Sequence, residues 1–264
     1  MVAELSQLGF ESFVEVEWGL LAYVPAWQFS EPALQDLQMR YANQCPFVYT
    51  YQHIPAQNWN EVWEADYAPI ELEGICRVRS LFHLPRPDFP YEIIIQPRMA
   101  FGTGHHATTA LMLTLILNHP SPFRKVLDAG CGTAVLAILA EKKGADQILA
   151  LDTDEWAVEN ALDNLVHNQC QHIAVHQSAW PDFARANPSW ANFDLIMANI
   201  TKNVLLTEMP VYAAALREEG FLFLSGFYEA DLAEIRQKAQ DFRLEFVNYR
   251  GKEDWVAASF VKTA

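Results

Sequence analysis

Long apolar runs are missing from these 264 residues. None approaches the length that spans a bilayer, so no membrane association is expected. The N-terminus lacks a basic segment followed by an apolar core, so no signal peptide is expected either. Cysteine is scarce. Cys45, Cys76, Cys131 and Cys170 show no C-x-x-C spacing. That argues against a disulfide or metal framework and for reduced thiols in the cytoplasm. Positive charge is also short: 18 Lys and Arg stand against 33 Asp and Glu, a formal net charge of −15. Broad contact with a phosphate backbone needs basic patches, so direct nucleic-acid binding is not expected. The acidic balance fits a small molecule or a basic protein partner, and solubility alone explains it equally well. Internal repeats and low-complexity tracts are missing too. With 51% hydrophobic and 19% charged residues, the chain reads as a well-packed enzyme. Its length suits one large domain or a medium one with a small one.

Hydrophobic patterning divides the chain. Phe13 to Val24 alternates and predicts a hairpin or two short strands. Ser30-Glu31-Pro32 predicts a helix start with Ser30 as N-cap. Phe47 to Tyr51 predicts a strand, and the run from Asn58 predicts a helix with Trp59, Val62 and Trp63 on one face. Strands are expected at Ile75–Arg79 and Glu92–Ile95, around a connection rich in Pro85, Pro87 and Pro90. A small α/β unit is therefore expected over residues 1–70, a connecting segment over 71–95 and a larger domain over 96–264. The larger part alternates: helix Thr109–Leu117, strand Val126–Asp128, helix Thr133–Lys143 closed by Gly144, strand Ile148–Asp152, helix Glu155–Asn168. Then follow strand Phe193–Ala198, helix Val204–Leu216 with a kink at Pro210, strand Gly220–Ser225 and helix Ala230–Phe242. A closing hairpin is expected from Phe246–Tyr249 and Trp255–Phe260. Alternation of this kind predicts a mostly parallel sheet with helices on both faces, and ligands at the carboxyl ends of its strands.

Asp128, Asp152 and Asn199 all fall at or just past such ends. Asp128 precedes a Gly130-Cys131-Gly132 turn that leads at once into an apolar helix. Glycine permits the turn, and a Cβ there would fill the approach of a ligand. The helix start adds unpaired N–H groups and partial positive charge. Asp152 stands about twenty residues on, where nucleotide-binding folds place a carboxylate against ribose hydroxyls. A dinucleotide fingerprint would end in a third small residue, but Val135 stands there. Asp128 would repel a pyrophosphate and suits a cationic ligand such as a sulfonium with an amino group. NAD binding remains the alternative, and so does a glycine turn that merely tightens a corner. Asp154 and Glu155 read as helix-start charges. His105 and His106 read as structural, and no metal site is expected.

The pattern Asp-x-Gly-x-Gly before an apolar helix resembles the first motif of class I methyltransferases. Phe101-Gly-Thr-Gly-His-His-Ala-Thr-Thr109, then Asp128-x-Gly130-Cys-Gly132, then Asn199 in Met-Ala-Asn-Ile resemble the PrmA family. That family methylates large-subunit ribosomal protein eleven. The resemblance spans nearly the whole chain and implies a class I S-adenosylmethionine-dependent, Rossmann-like α/β fold with a C-terminal antiparallel hairpin. It also implies that the N-terminal unit recognises the substrate. S-adenosylmethionine would be held by Thr109, Gly130, Asp152 and Asn199, with Gly132 from the loop geometry. Asp128 is expected at the amino group, and Phe101 shields the methyl. No catalytic residue is assigned, although Asn199 is placed to orient the target amine. The implied partner is the free ribosomal protein and the implied state a monomer. The chain departs from the family at Gln96-Pro97-Arg98, where Asp-Pro-Gly is usual, and at Thr201-Lys202-Asn203. It also lacks the Asn-Pro-Pro-aromatic motif of enzymes that methylate adenine or glutamine amides, which favours an amine acceptor. Three alternatives remain open: methylation of another basic protein, an NAD-dependent oxidoreductase, and a module that binds S-adenosylmethionine without transfer.

Overall fold

The alternation near the N-terminus produces an antiparallel hairpin, β1 (Ser12–Val16) and β2 (Gly19–Tyr23), after a short helix α1 (Val2–Gln7). Helix α2 (Glu31–Tyr41) starts where Ser30 accepts the Ala33 N–H. Leu5, Leu34 and Leu37 form the small core of this unit, with Phe47 and Tyr49 against it. Phe47–Tyr51 does not form the expected strand. It lies beside α2, fixed by Gln38 donating to the Phe47 carbonyl at 2.7 Å and by Tyr51 donating to Glu31 at 2.9 Å. An aromatic, alternating run becomes a strand only where a ladder partner is available. The computed structural model describes residues 1–17, 19–54, 68–96 and 106–264. The helix expected around Trp59, Val62 and Trp63, and Phe101 with its loop, lie outside them. The chain divides into two compact units, Met1–Val62 and Trp63–Ala264.

Residues 71–95 carry more than a connection. β3 (Ile70–Leu72) pairs antiparallel with β4 (Cys76–Arg79), and β4 pairs parallel with β5 (Tyr91–Ile94). Arg77 and Arg79 are buried and share Glu92, at 3.1 and 3.0 Å. Their guanidinium groups also hold the carbonyls of Leu84 and His83, which fastens the proline-rich loop. Cys76, Val78, Ile93 and Ile95 enter the main core of the second unit.

Helix α3 (Ala107–Asn118) leads into the main sheet. Its strands are β6 (Lys125–Ala129), β7 (Gln147–Asp152), β8 (Ile173–Gln177), β9 (Phe193–Asn199), β10 (Leu216–Tyr228), β11 (Leu244–Lys252) and β12 (Trp255–Lys262). The order across the sheet is β8-β7-β6-β9-β10-β12-β11, parallel as far as β10 and antiparallel through β12 and β11. The intervening helices are α4 (Val135–Lys142), α5 (Glu155–Asn168), α6 (Trp180–Ala186), α7 (Lys202–Ala215) and α8 (Leu232–Gln240). Central β6 and β9 are apolar almost throughout because helices cover both faces.

Sequence reading missed β8 and α6. β8 is an edge strand whose residues are all half-buried or exposed, so its periodic signal is weak. It also missed a polar ladder on α5. Asn168 accepts the Ile94 N–H and donates to the Ile94 carbonyl. Asn164 accepts the Gln96 N–H and donates to the Thr133 carbonyl. Positions four apart share a helix face. Here that face ties the end of β5 to the loop that opens α4. Among the described residues, no helix is long and apolar enough to cross a membrane.

Candidate active site

The loop after β6 is built on its neighbour β7. Gly130 and Cys131 both donate N–H to the Leu151 carbonyl, at 2.8 and 2.9 Å. Gly132 donates to one Asp152 oxygen at 2.8 Å, and Asp154 donates to the other at 3.0 Å. Asp152 therefore organises the loop from the end of β7. Gly130 has φ +73°, a left-handed conformation that favours glycine. A Cβ on Gly130 would meet Ile200 Cγ2 at 2.3 Å. Gly226 grips the same residue from the other side: at φ +94° its Cβ would stand 2.1 Å from the Ile200 carbonyl oxygen. Gly226 sits where the β10–β12 register shifts, between Ser225 and Phe227. The turn after Asn199 is thus wedged between two glycines.

A cavity of about 580 Å³ opens at these strand ends, a size suited to a small organic ligand. Thr109, Gly130, Gly132, Asp152 and Asn199 all line it. Two side-chain oxygens on its wall, Thr109 Oγ1 and Asn199 Oδ1, are buried without a hydrogen-bond partner among the described residues. Such atoms are costly unless a ligand completes them. His106 stands at the N-cap of α3, its Nδ1 accepting the Thr108 N–H at 3.3 Å. The cavity also takes in Trp180, Glu208, Tyr212, Gly226 and Trp255, none of which carried a motif. Glu208 and Tyr212 were discernible as an i, i+4 polar pair on a helix following a site strand.

Asp128 lies beneath the loop rather than on the cavity wall, with 1% exposure. One oxygen accepts the Ala137 N–H at 3.1 Å, and so caps a helix whose N-cap residue, Ala134, provides no side-chain cap. The other oxygen is buried without a partner among the described residues. Burial pushes the Asp128 carboxyl up from 3.8 to about 7; the Ala137 N–H opposes this and Asp152 adds to it. The folded state then keeps a proton that the unfolded state has released. Stability contributed below the ordinary carboxylate range is lost as pH rises toward 7, by up to about 1.4 kcal/mol per pH unit. Asp128→Asn should flatten urea-unfolding stability between about pH 4 and 7 and be more stable than the wild type at pH 8. A wild-type profile in that variant would mean that Asp128 is ionised in the native protein.

The cavity offers a ligand the Asp152 carboxylate as acceptor, the Thr109 hydroxyl as donor or acceptor, and largely apolar walls, groups that S-adenosylmethionine can match. Among the described residues, no group of three or more His, Cys, Asp or Glu could hold a metal ion. A parallel sheet ordered β8-β7-β6-β9-β10 and closed by an antiparallel pair, with a glycine loop after β6 and an acid ending β7, defines a class I S-adenosylmethionine-dependent methyltransferase.

Comparison with known proteins narrows the class. The profile of the family described as "Ribosomal protein L11 methyltransferase (PrmA)" matches residues 6–263. A protein of that name from Phocaeicola vulgatus is 40% identical over 257 residues, which cover 97% of this chain and 90% of the relative. Its namesake from Bacteroides fragilis is 40% identical over 263 residues, 99% of this chain and 92% of the relative. The solved structure of a ribosomal protein L11 methylase from Lactobacillus delbrueckii subsp. bulgaricus matches with a TM-score of 0.66 at 26% identity. That match covers 75% of this chain and 100% of that one. The chain belongs to the PrmA family, and the oxidoreductase alternative is set aside.

Proposed function

We propose that this protein methylates amino groups of ribosomal protein L11, on lysine side chains and at the N-terminal amine. The observation that carries the reading is the family match over residues 6–263. Bound in the cavity, S-adenosylmethionine would supply an electrophilic methyl on a sulfonium: the C–N bond to the amine would form as the C–S bond breaks, releasing the thioether, and the amine's proton would go to solvent. Asp152 takes the ribose hydroxyls, and Thr109 donates its hydroxyl to the carboxylate. Gly130 and Gly132 leave the backbone bare beside the ligand. Asp128, beneath the loop, is assigned to the amino group, and Phe101 to shielding the methyl. Asn199 Oδ1, unpaired on the cavity wall, accepts an N–H of the incoming amine and aims its lone pair. A lysine amine is neutral at pH 7 at a cost of about 4.6 kcal/mol. A dry site lowers an amine pKa by up to roughly 3–5 units, so the apolar walls provide most of that cost. Holding amine and methyl in line contributes the rest.

The first unit recognises the substrate, and the net charge of −15 attracts a basic protein. The protein works as a cytoplasmic monomer without nucleic acid. Incubation with purified L11 and S-adenosylmethionine should give mass gains in steps of one methyl group. Asn199→Ala should lower the rate about tenfold or more, as for one lost hydrogen bond, while affinity for S-adenosylhomocysteine stays within a few fold. No mass gain with cofactor binding intact would send the search to other basic proteins. Equal loss of binding and rate would make Asn199 a cofactor ligand instead.

A further inference from the structure

Glu208 is a carboxylate in a cavity wall that is otherwise largely apolar. Val204, Glu208 and Tyr212 are spaced four apart and line the cavity from one face of α7. Glu208 stands about 6 Å further along the helix than Val204, away from the Asn199 end. Ser178, Ala179 and Trp180, just past β8, line the same cavity, and the Trp180 indole reaches α7 at Val211, next to Tyr212; β8 is the neighbour of the strand that ends in Asp152. The base of a nucleoside whose ribose rests on Asp152 therefore extends toward Glu208. The other polar side chains here are already engaged. Ser178 donates to the Ala179 carbonyl at 2.9 Å, and Trp180 Nε1 donates to the Val211 carbonyl at 3.4 Å. Tyr212, fully buried, donates its hydroxyl to Glu208 Oε2 at 2.5 Å and so fixes the carboxylate. Glu208 Oε1 makes no hydrogen bond among the described residues.

We infer that Glu208 reads the exocyclic amino group of the cofactor's adenine, with Tyr212 as its positioning residue. The inference rests on the cofactor reading above. A carboxylate only accepts, so it pairs with an amino group and repels a ring carbonyl at the same position. A base bearing that carbonyl would leave two acceptors facing each other, and a site built for one hydrogen bond rejects a ligand that lacks it.

The test is calorimetric titration with S-adenosylhomocysteine and its deaminated analogue, S-inosylhomocysteine. The wild type should prefer the adenosyl form by about tenfold or more. In Glu208→Gln the shape is kept and the amide can donate, so the preference should fall within about threefold or invert. Tyr212→Phe should narrow it by several fold, through adenosyl affinity and not inosyl affinity. Full preference retained in Glu208→Gln would overturn the assignment, as would equal binding of both ligands by the wild type; either result leaves the cofactor reading standing. A wild type that binds neither ligand would overturn the cofactor reading itself.

Discussion

Gly226→Ala should lower the melting temperature by roughly 10 °C and remove methyl transfer. Two costs combine. A non-glycine residue at φ +94° is strained, at about 1–3 kcal/mol. The new Cβ would also stand 2.1 Å from the Ile200 carbonyl oxygen and 2.7 Å from its carbon. Backbone cannot rotate aside as a long side chain can, so the bulge or the Asn199–Ile200 turn must move. A total of about 4 kcal/mol is expected, and in a unit of this size each kilocalorie shifts the midpoint by about 2–4 °C. The turn carries Asn199, so any surviving fold should bind cofactor yet transfer poorly. Differential scanning calorimetry with a parallel activity assay would check both. A midpoint within about 3 °C of the wild type would mean that Ile200 is not wedged as described.

Asp152→Ala should weaken binding of S-adenosylhomocysteine on the order of a hundredfold. The carboxylate stands at both ends of the argument. It accepts the N–H of Gly132 and of Asp154, and it faces the cavity where the ribose diol belongs. Hydrogen bonds to a charged group contribute about 1.5–3 kcal/mol each, so the loss of two to the diol alone reaches that range. Loop disorder adds to it. Asp152→Asn keeps an amide oxygen for Gly132, but its NH2 would face the Asp154 N–H and the bidentate acceptor for the diol is gone, so its affinity should fall between those of the other two proteins. Titration calorimetry that found all three proteins within threefold of one another would place the ribose elsewhere.

Much of this arrangement was legible in the residues, and for identifiable reasons. β6, its glycine turn and α4 stand out because glycine at a strand–helix corner has few other uses. Helix α5 is bounded where expected, because Asp154 caps one end and apolar periodicity runs the length. Gly130, Gly132, Asp152 and Asn199 come together because parallel strands gather their carboxyl ends; Thr109, on α3, is reached through the family resemblance. What escaped was carried by partners distant in sequence. The asparagines of α5 look like surface polar residues until Ile94, Gln96 and Thr133 are seen against them. The burial of Asp128 and its bond to Ala137 likewise leave no mark on the motif. Gly226 stands just past the expected strand end at Ser225 and carries no signal until Ile200 is placed beside it. Phe47–Tyr51 has the residue types of a strand and no ladder partner among the described residues.

The order β10-β12-β11 has a consequence for synthesis. β12 is made last of the three, yet it lies between the other two and pairs with both, from Phe221↔Val261 on one side to Leu244↔Lys262 on the other. Until it emerges, β10 presents an open edge carrying Phe221, Leu222, Phe223 and Leu224, and β11 has no neighbour to join. An unpaired apolar edge is a template for wrong pairing. A nascent chain stalled after β11 is therefore the species most exposed to aggregation and to chaperone capture. A frameshift in the closing codons of β12 would cost the interior of the sheet and not merely its margin.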